Sequence, residues 1–140
     1  MIKQIFVNLP VKDLEATKTF WTAVGFTFNP QFSDQNAASL VLGENIYAML
    51  IVPSYFSTFT KKEIVDATKM TEAINALGAE SKAEVDNIVD KAIAAGGKET
   101  RAAEDHGWMY GRSFEDLDGH QWEVTYIDVS SIPANPGEAS

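Results

Sequence analysis

Near the end of the chain runs Phe114-Glu115-Asp116-Leu117-Asp118-Gly119-His120-Gln121-Trp122-Glu123. Asp118-Gly119 is a dipeptide that tight reversals favour, because both residues tolerate backbone conformations closed to most side chains. It predicts a hairpin joining strands over about 107–115 and 120–127. Side chains alternate along a strand, so Trp122, Val124 and Tyr126 share one face, and Gln121, Glu123 and Thr125 the other. The apolar set should meet a helix. That leaves Glu123 on a surface free to face a ligand.

Working back from this hairpin, Ser81-Lys82-Ala83-Glu84 reads as a capping box, in which the Ser hydroxyl takes an orphan helix N–H and Glu84 reaches back. Val85, Ile88, Val89, Ala92 and Ile93 recur at helical spacing behind it, and Gly96-Gly97 ends the helix. A strand over about 71–79 precedes it, and another, about 98–103, follows. The first part of the chain repeats this order. Ile5, Val7, Leu9 and Val11 alternate with Phe6, Asn8 and Pro10 in a strand. Asp13 then caps a helix carrying Leu14, Thr17, Phe20, Trp21 and Val24, which Gly25 stops. Phe26, Phe28 and Phe32 suggest a second strand, and 38–42 and 46–52 form a hairpin around Gly43-Glu44-Asn45.

The order is strand, helix, three strands, linker, then strand, helix, three strands. It predicts an α+β chain of two βαβββ modules forming a curved mixed sheet, with helices outside and a concave pocket inside. The expected organisation is a single domain over 1–140. Module one covers about 2–52, a linker about 53–70, module two about 71–127, and a loosely held tail 128–140.

Composition narrows the partners. Eleven Lys and Arg stand against 20 Asp and Glu, a net charge of −9, so a phosphate backbone would be repelled and no nucleic acid is expected. There is no Cys, which excludes disulfides, thiolate nucleophiles and Cys-based metal sites. No signal peptide or membrane span is read in the sequence, and the expected location is cytoplasmic.

The closing D-x-D-G-x-x-x-E stretch from Asp116 to Glu123, with Val11-Lys12-Asp13-Leu14 after the first strand, resembles the vicinal oxygen chelate superfamily. That superfamily includes glyoxalase I, fosfomycin and bleomycin resistance proteins and extradiol dioxygenases. The resemblance covers about residues 2–127 and implies the glyoxalase-like fold. Metal-dependent members carry one ligand on each of four strands. Carried over to this chain, those places fall at Phe6, Met49, Ile74 and Glu123. Only the last is a metal ligand, and one carboxylate does not hold a divalent ion. The expectation is therefore no cofactor and no metal.

Two readings follow from the resemblance. In the first, the protein is a metal-free binding protein for a small molecule, aromatic or cationic, as bleomycin resistance proteins are. In the second, it is a lyase or isomerase of glyoxalase type, or another metal-assisted enzyme of the superfamily, with Glu123 as its catalytic residue. The expected ligand-binding residues are Phe6, Asn8, Met49, Ile74, His106, Tyr110 and Arg112. The last three come from Asp105-His106-Gly107-Trp108-Met109-Tyr110-Gly111-Arg112, a segment dense in chemical groups and expected at the pocket rim. Arg112 is the expected partner of Glu123. Open sheet edges and the aromatics Tyr55, Phe56 and Phe59 in the linker suggest a homodimer.

Overall fold

The fold, taken from a computed structural model, is described for residues 1–134. It is α+β, with two four-stranded mixed sheets of the same strand order. The chain divides into two units, one spanning Met1–Asp66 and one beginning at Ala67.

The first unit holds β1 (Ile5–Pro10), α1 (Leu14–Val24), β2 (Thr27–Asn29), β3 (Ala37–Gly43), β4 (Ile46–Ile51) and a short helix, α2 (Pro53–Phe56). The sheet order is β1-β4-β3-β2, with β1 parallel to β4 and the other pairs antiparallel. Asp13 caps α1, its carboxylate accepting the Ala16 N–H at 3.0 Å. Gly25 closes the helix with φ 116°, a conformation that strains any residue with a Cβ. Leu14, Thr17, Phe20, Trp21 and Val24, the stripe read from the sequence, are all buried. The helix packs on β2 and β3, and Ala38 and Leu40 of β3 are buried together with Leu50 and Ala48, their partners on β4.

One boundary differs from expectation. Phe32 does not extend β2. Asn29 turns its side chain to accept the Gln31 N–H, Pro30 starts a 3₁₀ turn, and Phe32 is left exposed at the end of it. The Asn-Pro pair ends the strand because it supplies a cap and removes a ladder donor.

The second unit holds β5 (Ile74–Ala79), α3 (Lys82–Ala94), β6 (Lys98–Asp105), β7 (Met109–Glu115) and β8 (Gln121–Ile127). Its order is β5-β8-β7-β6, with β5 parallel to β8. Ser81 accepts the Glu84 N–H at 3.0 Å, as the capping box requires. Glu84 reaches back one residue further than expected, to the Glu80 N–H at 3.0 Å. Val85, Val89 and Ala92 are buried over β7 and β8, where Phe114, Trp122 and Val124 complete the core. Ile93, counted in that stripe from the sequence, is 38% exposed and lies outside it.

The turn between β7 and β8 is organised by Asp116, which is buried. Its Oδ1 accepts the N–H groups of Asp118 and His120, each at 3.0 Å, and its Oδ2 accepts the Trp122 indole N–H at 3.0 Å. Burial pushes this carboxyl above its ordinary range, against the opposing pull of His120 and the N–H donors. Gly119 has φ 85°, and a Cβ there would stand 2.7 Å from the Ala67 carbonyl oxygen and the Thr68 nitrogen. Only glycine fits both the conformation and the space.

Downstream, Asp128 caps a 3₁₀ turn at Val129–Ser131. The part of the expected loose tail at 135–140 lies outside the described residues. Among the described residues, no helix is long and apolar enough to cross a membrane.

Two substitutions test this turn. Gly119→Ala should lower the unfolding free energy by about 2 kcal/mol or more, through the left-handed backbone and the collision with residues 67–68. Asp116→Asn presents an NH₂ group or a single acceptor to three donors, and should cost about 1–3 kcal/mol. Urea denaturation checks both. Wild-type midpoints for either variant would contradict the account of the turn.

Candidate functional site

Register decides what each face of the second sheet carries. Glu123 stands opposite Ser113 on β7 and Ala76 on β5, while Arg112 stands opposite Val124. Val124 and Trp122 lie under α3, so Glu123 is on the helix-free face and Arg112 on the helix side. Ile74 pairs with Gln121 and so shares the face of Glu123.

The partner of Glu123 is Arg101. A break in register between Glu99 and Arg101 sets Arg101 opposite Ser113, and Thr100 donates its hydroxyl to Ser113 Oγ at 2.7 Å beside the break. Arg101 Nη2 reaches Glu123 Oε1 at 3.3 Å, and its Nη1 donates to Glu104 Oε1. The other Glu104 oxygen lies 3.5 Å from His106 Nε2. The result is a polar row, Glu123, Arg101, Glu104 and His106, on the helix-free face. The Glu123 side chain is 28% exposed and that of Arg101 56%, so a solute can reach both. His106 sits in the β6–β7 turn, its ring stacked near Trp108 at 6.4 Å between centroids.

Tyr110 and Arg112 lie on the other face of the sheet, so Arg112 does not pair with Glu123 as expected. Arg112 Nε donates to Glu99 at 2.8 Å, and its Nη1 donates to Asp86 at 3.0 Å and Asp90 at 2.8 Å. Tyr110 Oη donates to Asp86 at 2.6 Å. Burial works against the charge of Arg112, but the three carboxylates outweigh it and raise its pKa. The Tyr110 hydroxyl, helped by Arg112, holds Asp86 below the usual carboxylate range, and Asp86 in turn pushes the phenol up. This cluster fastens α3 to β6 and β7. Parity contained the signal: Tyr110 and Arg112 alternate in step with Phe114, which pairs with Trp122 across the hairpin. Arg101 carried no such signal, because its partner is reached only through the break in β6.

In the first unit, Phe6 pairs with Tyr47 and Asn8 with Met49, on the face opposite Ala48 and Leu50. The Phe6 and Tyr47 rings are stacked at 5.0 Å with 12° between planes. The β1–β4 and β5–β8 ladders repeat one pattern. Asn8 faces Met49 as Ala76 faces Glu123, and Phe6 precedes Asn8 as Ile74 precedes Ala76. Met49 thus holds in its ladder the place that Glu123 holds in the other. Among the described residues, no three His, Asp or Glu side chains are grouped so as to hold a metal ion.

Residues 3–124 match the model of the Glyoxalase/Bleomycin resistance protein/Dioxygenase superfamily. No curated protein matches the chain. Among solved structures, the hypothetical protein SA1046 from S. aureus is 30% identical, with 90% of this chain and 94% of that one covered and a TM-score of 0.75. A glyoxalase-related enzyme from Fulvimarina pelagi is 22% identical over 95% of this chain and 94% of its own, with a TM-score of 0.75. The fosfomycin resistance protein FosX from Listeria monocytogenes is 19% identical over 90% and 92%, with a TM-score of 0.65. The last two establish likeness of fold.

The Arg112 cluster makes a pH-dependent prediction. A carboxylate whose folded pKa is lowered, as Asp86's is, adds stability above its unfolded pKa and loses it as pH falls through the folded one. Arg112→Gln should cost about 1–2 kcal/mol at neutral pH, between the values for exposed and buried pairs. The gap to wild type should narrow towards roughly pH 3, as carboxylates take up protons in both proteins. Urea midpoints at the two pH values measure it. An equal gap at both would show that Arg112 acts by packing alone.

Proposed function

The chain belongs to the Glyoxalase/Bleomycin resistance protein/Dioxygenase superfamily, and from that premise we propose that it binds a small molecule without a divalent metal. The observation that carries this reading is the pairing of Glu123 with Arg101. The four places at which the resemblance puts metal ligands hold a phenyl ring, a thioether, a branched alkyl group and this one carboxylate. A metal does not fit that donor set, since hard and borderline divalent ions need several N or O ligands. Glu123 is moreover already engaged by a cation that the chain supplies. Two carboxylates, Glu104 and Glu123, meet the single Arg101 guanidinium, so the row is well suited to a cationic solute.

A second reading is favoured by the row itself. It connects Glu123 to His106 through Arg101 and Glu104, an arrangement that can hold a proton acceptor in a fixed orientation. This suits a lyase or isomerase of glyoxalase type in which Glu123 takes the proton. Glu123→Gln separates the two readings. Under binding it weakens capture of a cationic ligand and leaves no turnover to lose. Under catalysis it abolishes turnover while the fold is kept.

The small molecule is the proposed partner, together with a second copy of the chain. The end strands β1, β2, β5 and β6 of the two sheets, and the exposed Tyr55 and Phe59, support a homodimer.

Two measurements follow. Elemental analysis of protein purified without chelator should find no stoichiometric Ni, Zn, Mn or Fe; one equivalent that Glu123→Gln removes would overturn the metal-free reading. Sedimentation at micromolar concentration should give about twice the chain mass of 15.4 kDa. A species of single-chain mass would overturn the dimer.

A further inference from the structure

Resting on the binding reading above, the geometry of β1 points to the chemical class of a ligand. β1 is an end strand of the first sheet, paired only with β4. Phe6 lies on the face of that sheet turned away from α1, with its ring stacked on Tyr47 of β4 at 5.0 Å and 12° between planes. Tyr47 covers one side of the Phe6 ring. No strand of its sheet stands on the other side, and Phe6 is 49% exposed. A nearly parallel ring pair that ends at a sheet edge is a stack open to one more member, and offset stacking is favourable for any π-face.

The second observation is polar. Asn8 follows Phe6 by two residues on the same strand and therefore on the same face. It is exposed, and its side-chain amide has no partner among the described residues. A primary amide offers a donor and an acceptor side by side. One strand repeat of two residues spans about 7 Å, which brings the rim of a two- or three-ring system stacked on Phe6 within reach of that amide.

We propose that the outer face of Phe6 is a stacking site for a planar heteroaromatic molecule, and that the Asn8 amide reads a neighbouring donor and acceptor on the ring's rim. An imide or lactam edge has that pattern. A purely hydrocarbon ring lacks it and would gain only the stack. Asn8 is thereby a specificity-determining residue and Phe6 the anchor.

Riboflavin is a suitable probe, because its ring system is planar and uncharged, carries an imide edge and is fluorescent, so that its tumbling slows measurably when a protein holds it. Titration of the full chain into riboflavin should give a saturable rise in fluorescence anisotropy. Phe6→Leu keeps the apolar bulk but removes the π-face, and should weaken binding about tenfold or more. Asn8→Ala should weaken riboflavin about fivefold and N3-methylriboflavin, whose imide N–H is blocked but whose carbonyls still accept, by about twofold or less. Circular dichroism of both variants should match wild type, as expected for exposed positions. Three results overturn the proposal: no saturable change in riboflavin anisotropy with the wild-type protein, equal affinity in Phe6→Leu, or an Asn8→Ala loss that is the same for both flavins. Metal analysis tests the metal-free reading independently of this assay, so either can fail alone.

Discussion

Asp116 accepts three N–H groups with one carboxylate: two from the backbone of the β7–β8 turn and one from the indole of Trp122. The core of the second unit and the position of its polar row both depend on this. The two backbone bonds set the turn, and the turn sets the register in which Phe114 faces Trp122 and Ser113 faces Glu123. The indole bond satisfies the one polar atom of the largest side chain under α3. A slip of one residue would exchange the faces of β8, setting Glu123 against the helix and Trp122 on the open side. Burying the carboxyl is costly, as its raised pKa shows, and the three hydrogen bonds offset that cost.

With register fixed, charge is divided between the two faces of one sheet. On the helix side, Arg112 is held by Asp86, Asp90 and Glu99, and this joins α3 to the strands. On the open side, Arg101 joins Glu123 to Glu104, and His106 completes the row. Arginine suits both positions, since its fork of donors can meet several carboxylate oxygens at once. The first sheet shows the same strand order with different chemistry: its helix-free face carries the stacked Phe6 and Tyr47 rings and an Asn8 amide without a partner among the described residues, and Met49 stands at the place of Glu123. One fold plan thus offers an apolar surface in one unit and a charged one in the other.

Much of this was legible in the residues. Asp13 and Ser81 announce helix starts, Gly25 a helix end, and Asp118-Gly119 a hairpin, because each acts through local backbone chemistry that a sequence displays directly. Alternation placed Phe6 with Asn8, and Glu123 opposite the Trp122 face. What was not legible depends on irregularity or on contacts between elements. Aromatic alternation runs on to Phe32, past a turn that Asn29 and Pro30 impose. The neighbouring strands suggest Arg112 as the partner of Glu123, although being neighbours does not place two residues on the same face. No sequence signal points to Arg101. Its meeting with Glu123 needs a broken register in β6, and nothing in Lys98-Glu99-Thr100-Arg101 marks that break.

Glu123 on the helix-free face is engaged by the chain's own Arg101, and the proposed function leaves no metal ion beside it. The most direct test is a crystal structure of protein soaked in manganese chloride, with anomalous scattering used to locate the ion. The expected electron density shows the Arg101 guanidinium in hydrogen-bonding contact with the Glu123 carboxylate and no anomalous peak beside it. An anomalous peak within bonding distance of Glu123, with Arg101 displaced, would overturn the metal-free reading.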